Sequence, residues 1–400
     1  MSGERIPMSD RDMRRAHLLE KVVRGERSLQ SITTALDVSY RQAKRLYRRY
    51  RDEGAAGLVH RTVGCRSPRR IDEAHRARVI DTYREQYADF GPTFAAEKLN
   101  ARDGLAVDHE TLRRWLIDEG LWVVRRRRRT YRSRRERRHR FGELVQFDGS
   151  HHRWFEDRRQ KCCLMNMVDD ATGITHAFLI EQETTAAAMR LLWSWIERYG
   201  IPQAVYCDRK NAFVLDRKPT VEEQLRGLRP MSHFQRACEK LGIEVIVARS
   251  PQAKGRVERN HAVYQDRLVK ELRLAQINDI HGANAFLTDR FLDELNAKFA
   301  KPPIDGTDAH APLLRGQSLA NILCFTASRV VAHDYVVLFE NRLFQIPHQK
   351  RHPLVRPGAA IWVHQWLDGS LHFFSPENQE LLVEEIPQRP KPNQEDALSA

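Results

Sequence analysis

One run of this sequence cannot be buried in a folded core. Residues 125–140 read RRRRRTYRSRRERRHR, with 11 arginines in 16 positions. Because like charges at this density repel one another, the run predicts an exposed, extended arm. The chain is therefore divided into two parts, each of which has to fold on its own side of the arm.

The positive charge lies almost entirely on one side of this division. Residues 1–141 contain 35 Lys and Arg against 20 Asp and Glu, whereas residues 142–400 contain 32 against 33, for a net charge of +14. A solubilising charge would be spread along the chain, so a basic first third favours nucleic-acid binding.

The arm itself is expected to bind DNA phosphates, since neutralising several of them releases counterions and gives salt-sensitive binding without sequence preference. A nuclear-targeting signal is the alternative, but nothing else in the sequence suggests a eukaryotic address. The candidate contacts are Arg125, Arg126, Arg127, Arg128 and Arg129.

Composition excludes several other classes of protein. The 400 residues suggest two to four domains, and 41% hydrophobic residues are enough for real cores. The sequence has no run of about 18 apolar residues to span a membrane, and its N-terminus lacks the apolar segment of a secretory signal. Six cysteines without a C-x-x-C pair argue against a disulfide scaffold and against a structural zinc site. This cysteine content leads us to expect a protein of a reducing cytoplasm.

Residues 28–54 predict a helix-turn-helix. Ser28 is expected to cap a short helix that ends at Ala35, and Ser39 to cap a second, basic helix from Tyr40 to Asp52. With Ala43 and its apolar neighbours inward, the polar side chains of the second helix can reach base edges and phosphates; a solvated basic helix in a bundle is the alternative. The residues left outward are Arg41, Gln42, Lys44, Arg45, Arg48 and Arg49.

A second unit of the same kind is predicted before the arm. Asp72 is expected to cap a helix, Gly91-Pro92 to open the next, and Asp108 to precede a third that Gly120 ends. Two tandem units can bind a longer DNA site than one. The candidate DNA contacts near the start of the third helix are His109, Thr111, Arg113 and Arg114.

After the arm the sequence pattern changes and predicts alternating strands and helices. Three strands, in GELVQFDGS, KCCLMNMVDDATG and HAFLIEQE, precede the order helix, strand, helix, strand, long helix, which is that of a ribonuclease H-like α/β fold. Short strands with turn signals follow from 325 to 386 and predict a small β-barrel.

The predicted fold is thus multidomain, with all-α helix-turn-helix units, an α/β ribonuclease H-like catalytic core and a small all-β C-terminal barrel. The expected bounds are 1–54 and 72–124 for the helix-turn-helix units, 55–71 for their linker, 125–141 for the arm, 142–275 for the catalytic core, 276–324 for a helical connector, 325–386 for the barrel and 387–400 for a disordered tail.

Three carboxylates stand at positions that phosphodiester chemistry would use. Asp148 ends the first strand, Asp208 ends the fourth, and Glu258 lies at the head of the long helix. The first and fourth strands of such a sheet can be neighbours, which would bring the two aspartates together. Oxygen ligands suit Mg²⁺ and Mn²⁺, and a pair of ions can activate an attacking oxygen and stabilise the leaving one. Singly, each residue would more often be a turn residue or a solvated helix residue.

Four motifs make the chain resemble a known family. VQFDGSHHRWFE, MVDDATG, VYCDRKNAF and SPQAKGRVERNHAVYQDRLVKELR are similar to the DDE transposases of the retroviral integrase superfamily, most closely the ISNCY-type insertion-sequence transposases. The likeness covers nearly the whole chain. It departs from many relatives in the 50 positions between Asp208 and Glu258, a longer spacing that we interpret as a loop insertion, and in having helix-turn-helix units in place of a His/Cys zinc module.

The resemblance implies that Asp148, Asp208 and Glu258 form a catalytic triad that binds Mg²⁺, or Mn²⁺ as a substitute, with two ions per site. It implies that Lys254 and Arg256 lie near DNA phosphates. The expected partners are double-stranded DNA, as element terminal inverted repeats and as target, and further copies of the chain in a homo-oligomer; no membrane is expected. The expected reaction is metal-dependent 3′-end cleavage followed by strand transfer.

Two alternatives stay open from the sequence. The chain could be a catalytically inactive DNA-binding regulator, or a metal-dependent nuclease without strand transfer. Nearby residues also have more than one interpretation. His151 and His152 could be ligands, polar contacts to substrate or surface residues, and Asp169 and Asp170 could be a fourth carboxylate or turn residues. Trp154 is open between the core and stacking on a DNA base.

Overall fold

A computed structural model describes residues 8–60, 71–123, 136–208, 213–215, 217, 224–225, 230–247, 255–347 and 355–387. The chain forms two compact units, Met1–Val124 and Arg125–Ala400. The candidate contacts of the arm, Arg125 to Arg129, lie outside the described residues, as do Lys254 and the C-terminal tail from 388. The finer domain bounds expected from the sequence stay predictions.

The first unit begins with the predicted helix-turn-helix. Helix α1 spans Asp10–Val23, α2 spans Thr33–Leu36 and α3 spans Tyr40–Glu53, followed by a 3₁₀ helix at Gly54–Leu58. The hydroxyl of Ser39 accepts from the backbone N–H of Gln42, so the predicted cap of α3 is confirmed. The short helix is shorter than predicted, because Ser28 caps only a turn through the N–H of Ser31.

A small apolar core holds these helices together and extends further than expected. Leu19, Leu36, Ala43 and Leu46 are all buried in it. Leu58, which the sequence places in a linker, is buried there too, with 3% of its surface exposed. The first part of the expected linker is therefore packed against the helix-turn-helix.

The second set of helices follows the predicted order. Helix α4 spans Glu73–Gln86, α5 spans Pro92–Ala101 and α6 spans His109–Asp118. Asp108 caps α6 by accepting from the N–H groups of Glu110 and Thr111 at 2.9 and 3.3 Å. Asp72 occupies the cap position of α4, but its side chain makes no capping bond.

The second unit contains the predicted five-stranded sheet. Its strands are β1 (Val145–His152), β2 (Cys162–Asp169), β3 (Thr175–Ile180), β4 (Ala204–Cys207) and β5 (Glu244–Val247). They lie in the order β3-β2-β1-β4-β5, with β1, β2 and β3 antiparallel and β1, β4 and β5 parallel. The strand and helix order of the ribonuclease H-like fold is confirmed.

Helices cover both faces of this sheet. One face packs against α7 (Thr185–Tyr199) and α8 (His233–Lys240), in a core that includes Phe147 and Cys163. The other face packs against α9 (Gly255–Leu274) in a core that includes Cys162 and Trp154. Since Trp154 is fully buried and its Nε1 donates to the carbonyl of Ser150 at 3.2 Å, it belongs to the core, and the idea that it stacks on a DNA base is wrong.

The segment expected to be a helical connector packs into both cores. It contains α10 (Ile280–Phe286), a π-helical turn (Leu287–Phe291), α11 (Leu292–Phe299) and the short α12 (Leu319–Ile322). Helices α10 and α11 join the second core, and α12 joins the first. The side-chain amide of Asn284 brackets the backbone of Leu179, and that of Asn296 brackets Thr175, each accepting from the N–H and donating to the carbonyl at 2.6–2.9 Å. Both bracketed residues lie on β3, so the edge of the sheet is covered.

The C-terminal segment is all-β, but its described residues do not close into a barrel. Strands β6 (Phe325–Val330), β9 (Ala360–Gln365), β10 (Leu371–Phe374) and β11 (Glu380–Leu381) form one sheet. Strands β7 (Val336–Phe339), β8 (Arg342–Gln345) and β12 (Glu384–Ile386) form another. Because the last strand pairs with β8 and both sheets share one core, the described strands form a two-sheet packing, and the predicted barrel is not confirmed.

No helix among the described residues is long and apolar enough to cross a membrane.

We predict that His176 makes the second unit less stable in mild acid. Its Nε2 lies 2.8 Å from the hydroxyl of Ser194, and burial, with the Arg198 guanidinium as a smaller cause, lowers the pKa of His176 to about 4. In the unfolded chain His176 binds a proton below about pH 6.5, whereas in the folded chain it binds one only below about pH 4. The free energy of unfolding therefore decreases as pH falls through this window. Denaturant unfolding from pH 7 to 4 should show a slope shallower by up to about 1.4 kcal/mol per pH unit in His176→Gln. Equal slopes in the two proteins would contradict this.

Candidate active site

The register of β1 and β4 brings two of the predicted carboxylates side by side. Val145 lies opposite Val205 and Gln146 opposite Tyr206 in a parallel pair. Continuing this register by two positions sets Asp148 beside Asp208, which directly follows the end of β4. Neighbouring strands are about 4.8 Å apart, and laterally adjacent residues of parallel strands share a face. Both aspartates are half-buried. The prediction that the first and fourth strands are neighbours is confirmed.

Asp148 faces helix α9. Alternate residues of a strand point to one face, so Gln146, Asp148 and Ser150 belong together. The backbone N–H of Val257 donates to Oε1 of Gln146 at 3.2 Å, and Nε2 of Gln265 donates to the hydroxyl of Ser150 at 3.2 Å. Because these contacts flank Asp148 on both sides, its side chain lies on the α9 face of the sheet.

Glu258 lies in the first turn of α9, and its side chain is exposed. It precedes Gln265 by seven positions, nearly two helical turns, so the two lie on one stripe of the helix. Since Gln265 reaches Ser150, this stripe runs over β1, the strand of Asp148. The prediction that Glu258 lies at the start of the long helix is confirmed.

Polar side chains under α9 fix how the helix is turned. Nδ2 of Asn166 donates to Oδ1 of Asn260 at 2.7 Å, and the Thr175 hydroxyl lies 3.1 Å from the hydroxyl of Tyr264. Because Asn260 and Tyr264 contact residues of β2 and β3, the side of α9 that carries Glu258 and Gln265 lies over β1. Asn166 is also the strand partner of Asp148.

The three carboxylates nevertheless do not form a closed ligand set. Of the described residues, one group of three or more His, Cys, Asp and Glu side chains has ligand atoms all within 4.8 Å of one another, and it consists of His151, Cys163 and Glu183. The structure thus pairs Asp148 with Asp208 by register and places Glu258 above the same strand.

A buried carboxylate that the sequence analysis considered only as a fourth carboxylate or a turn residue anchors the start of α9. Asp170 is fully buried and accepts from Nε of Arg256 at 2.5 Å, from Nε2 of Gln146 at 2.9 Å and from the N–H of Arg138 at 2.9 Å. It lies in the turn after β2, as predicted, but the prediction missed its partners. It joins the arm's end, β1 and α9.

The same contacts change the interpretation of Arg256. Its side chain is only 15% exposed and forms the ion pair with Asp170, so the structure gives it a role in positioning α9 in place of an open phosphate-binding surface. Gly255 begins the helix, and a Cβ there would meet no atom of the described residues within 4 Å.

Asp169 is not a fourth carboxylate of the predicted triad, and the two histidines contact other residues. Burial raises the pKa of Asp169, which accepts from Thr172 and from the N–H of Gly142. It therefore organises the turn. His152 packs its ring against Trp154, with centroids 5.2 Å apart, while His151 lies beside Glu183.

Comparison with known proteins places the chain in a family. A family model for a homeodomain-like domain matches residues 42–116, which run from α3 to α6. Over 369 residues the chain is 40% identical to "Putative transposase y4bF" of Sinorhizobium fredii, a match that covers 92% of this chain and 79% of that protein. The chain belongs to the transposase family.

Two further likenesses accompany this one. The transposase for insertion sequence IS1202 of Streptococcus pneumoniae is 25% identical over 363 residues, which cover 82% of this chain and 76% of that protein. The magnesium-bound catalytic core domain of HTLV-2 integrase aligns at 19% identity with a TM-score of 0.29, over 38% of this chain and 89% of that chain. The predicted membership of a transposase family is confirmed by these relatives, whereas the DDE, integrase-superfamily and ISNCY-type placements stay predictions.

The transposase exposes five of the six residues that were predicted to face outward on α3. Ala43 and Leu46 are buried, whereas Arg49 is half-buried and donates to the carbonyl of Val59 at 3.3 Å, so it was wrongly placed among the outward residues. The exposed candidates on α3 are Arg41, Gln42, Lys44, Arg45 and Arg48.

The basic side chains of helix α6 are partly engaged in ion pairs within the transposase. Glu110 holds Arg113 through two hydrogen bonds and contacts Arg114 at 3.4 Å, and these cations, Arg113 first, lower the pKa of Glu110 to about 2. Thr111 is half-buried and His109 is exposed. The positive charge of this helix is therefore partly neutralised within the fold.

We predict that Asp170→Ala destabilises the second unit by roughly 3–5 kcal/mol, because it leaves the largely buried Arg256 guanidinium without its carboxylate. The matched control is Asp157→Ala, whose carboxylate is 92% exposed and pairs with Arg153, and which should change stability by less than about 1 kcal/mol. Denaturant unfolding of the full chain measures both. An equal loss in the two variants would show that the Asp170 network does not anchor α9.

Proposed function

We propose that this transposase binds the terminal inverted repeats of an insertion sequence, cleaves the element's 3′ ends and transfers them to target DNA. Asp148, Asp208 and Glu258 are the catalytic carboxylates. The observation that carries the proposal is the parallel register of β1 and β4, which sets two aspartates side by side on the face that α9 covers.

The donor set of this site fits Mg²⁺. All three side chains offer carboxylate oxygens, the ligands that Mg²⁺ prefers, and Mn²⁺ accepts the same donors. We propose two ions per site, held by Asp148, Asp208 and Glu258. When bound, the ions would help to activate the attacking oxygen and stabilise the charge of the leaving oxygen.

The chain's own residues orient this chemistry. Adjacent carboxylates repel each other, so the pair on β1 and β4 favours bound cations over an empty site. The strands hold Asp148 and Asp208 in place, and the contacts of Gln146 and Asn166 with α9 hold Glu258 above them. Glu258 is exposed and none of the described residues would crowd a Cβ at Gly255, which supports the approach of a DNA backbone from this side.

DNA recognition is proposed for the first unit and the arm. The exposed residues of α3 and the start of α6 would read the terminal repeats, and the arm with Lys254 would add phosphate contacts. A homo-oligomer is proposed because two element ends have to be held together for joining.

We predict that Asp148→Asn and Asp208→Asn each lower end cleavage by about a thousandfold while leaving end binding intact, since metal-ion catalysis contributes several kcal/mol. The assay uses labelled duplexes made from the DNA flanking the gene, with Mg²⁺ or Mn²⁺, and follows both nicking and joining. The control Asp157→Asn makes the same chemical change at an exposed carboxylate.

Three outcomes of this assay would overturn the proposal in different ways. Specific binding with no nicking by the wild-type protein would indicate a DNA-binding regulator. Cutting without joining would indicate a metal-dependent nuclease. Loss of end binding in the aspartate variants would mean that the roles are assigned wrongly.

We predict that Arg45→Ala weakens binding to the element end, because Arg45 is exposed on the outward face of α3. Loss of a phosphate contact should reduce the slope of log affinity against log salt by about 1, and loss of a base contact should lower affinity by about 1–3 kcal/mol with relaxed specificity. Arg24→Ala, an exposed arginine after α1 that pairs with Glu20, is the matched control. Equal binding by Arg45→Ala and wild type would remove α3 from the interface.

A further inference from the structure

A second group of ligand side chains lies on the face of the sheet opposite the proposed triad. His151 of β1 and Cys163 of β2 are direct partners across the antiparallel pair, and Glu183 precedes the N-terminus of α7. Nε2 of His151 lies 3.7 Å from Oε2 of Glu183, and one ligand atom from each of the three residues lies within 4.8 Å of the others.

The alternation of β1 separates this group from the triad. Asp148 and Ser150 face α9, so His151 faces the other side, where Cys163 packs in the core beneath α7. The two groups are therefore divided by the sheet itself, and the His151 group is independent of the proposed catalytic site.

Gly149 leaves the space in which these side chains converge. A Cβ at this position would lie 2.8 Å from Cδ of Glu183 and 3.0 Å from Sγ of Cys163, distances at which neighbouring atoms have to move. The bare backbone lets a thiol and a carboxylate approach each other over the strand. Two of the three side chains are sheltered, since Cys163 is fully buried and the side chain of Glu183 is 7% exposed.

The chemistry of the three donors selects the ion. A thiolate, an imidazole and a carboxylate together suit Zn²⁺, whose ligand bonds are about 2.0–2.3 Å, whereas Mg²⁺ disfavours a thiolate. In a tetrahedral zinc site neighbouring ligand atoms are about 3.3–3.8 Å apart, which the His151 to Glu183 separation already meets. His151 is 55% exposed, so the fourth position would open toward water.

We propose that His151, Cys163 and Glu183 form a zinc site that fastens the β1–β2 pair to the start of α7, directly behind Asp148. The ion would hold three elements that are distant in the sequence, and it would act on the strand that carries the proposed catalytic aspartate. The alternative is that Cys163 is an ordinary core residue and that His151 and Glu183 form a surface ion pair.

The test is titration of the full chain with Co²⁺ and competition by Zn²⁺. We expect one Co²⁺ per chain to give a thiolate-to-cobalt charge-transfer band in the near ultraviolet, which Zn²⁺ abolishes; any Co²⁺ at the proposed carboxylate site has no thiolate ligand and gives no such band. Cys163→Ala should remove the band and weaken Co²⁺ binding by at least about tenfold. Cys162→Ala is the matched control, because the adjacent thiol belongs to the core on the opposite face of the sheet and should leave the band unchanged.

A second variant separates loss of the site from loss of folding. Glu183→Gln keeps the size of the side chain and should also weaken Co²⁺ binding, while circular dichroism shows whether each variant keeps its helices and strands. Asp148→Asn should retain the thiolate band, which distinguishes this site from the proposed magnesium site. No charge-transfer band in the wild-type protein, or an equal band in Cys163→Ala, would overturn the proposal.

Discussion

The placement of helix α9 on the central sheet is the constraint on which the proposed active site depends. The helix is held by polar contacts that are specific in direction: Gln146 accepts from the backbone of Val257, Asn166 donates to Asn260, and Arg256 pairs with buried Asp170. Apolar packing alone would let the helix rotate or slide, whereas buried polar groups have to find their partners. These contacts therefore set where Glu258 stands relative to Asp148 and Asp208.

Local patterns in the sequence were enough to predict this arrangement in outline. Strand signals that each end in Asp, and a helix that begins near Glu258, give the order of elements, and the ribonuclease H-like order then makes β1 and β4 neighbours. The partner of Arg256 could not be predicted, because Asp170 lies 86 positions away and a buried ion pair leaves no periodic signal.

Other differences have the same physical origin. Asn284 and Asn296 bracket the backbone of an edge strand, and such contacts do not show in hydrophobic periodicity, so their segment was expected to be only a connector. The C-terminal strands are short, and their pairing depends on which distant strand each one meets; β12 returns to β8, and the described strands form two sheets in place of the expected barrel. The expectation against a structural zinc site rested on cysteine spacing, which carries no information on ligands that meet across strands, as His151 and Cys163 would in the proposed site.

If Asp148 and Asp208 bind the same catalytic ions, as proposed, exchanging the ligand atom at each position tests this contact most directly. End cleavage by Asp148→Cys and Asp208→Cys would be compared in Mg²⁺ and in Mn²⁺, because sulfur is a much poorer ligand for Mg²⁺ than for Mn²⁺. Each variant is predicted to be inactive in Mg²⁺ and to recover cleavage in Mn²⁺ beyond the recovery of the matching Asn variant. Equal inactivity of the Cys and Asn variants in both metals would contradict direct contact between these side chains and the ions.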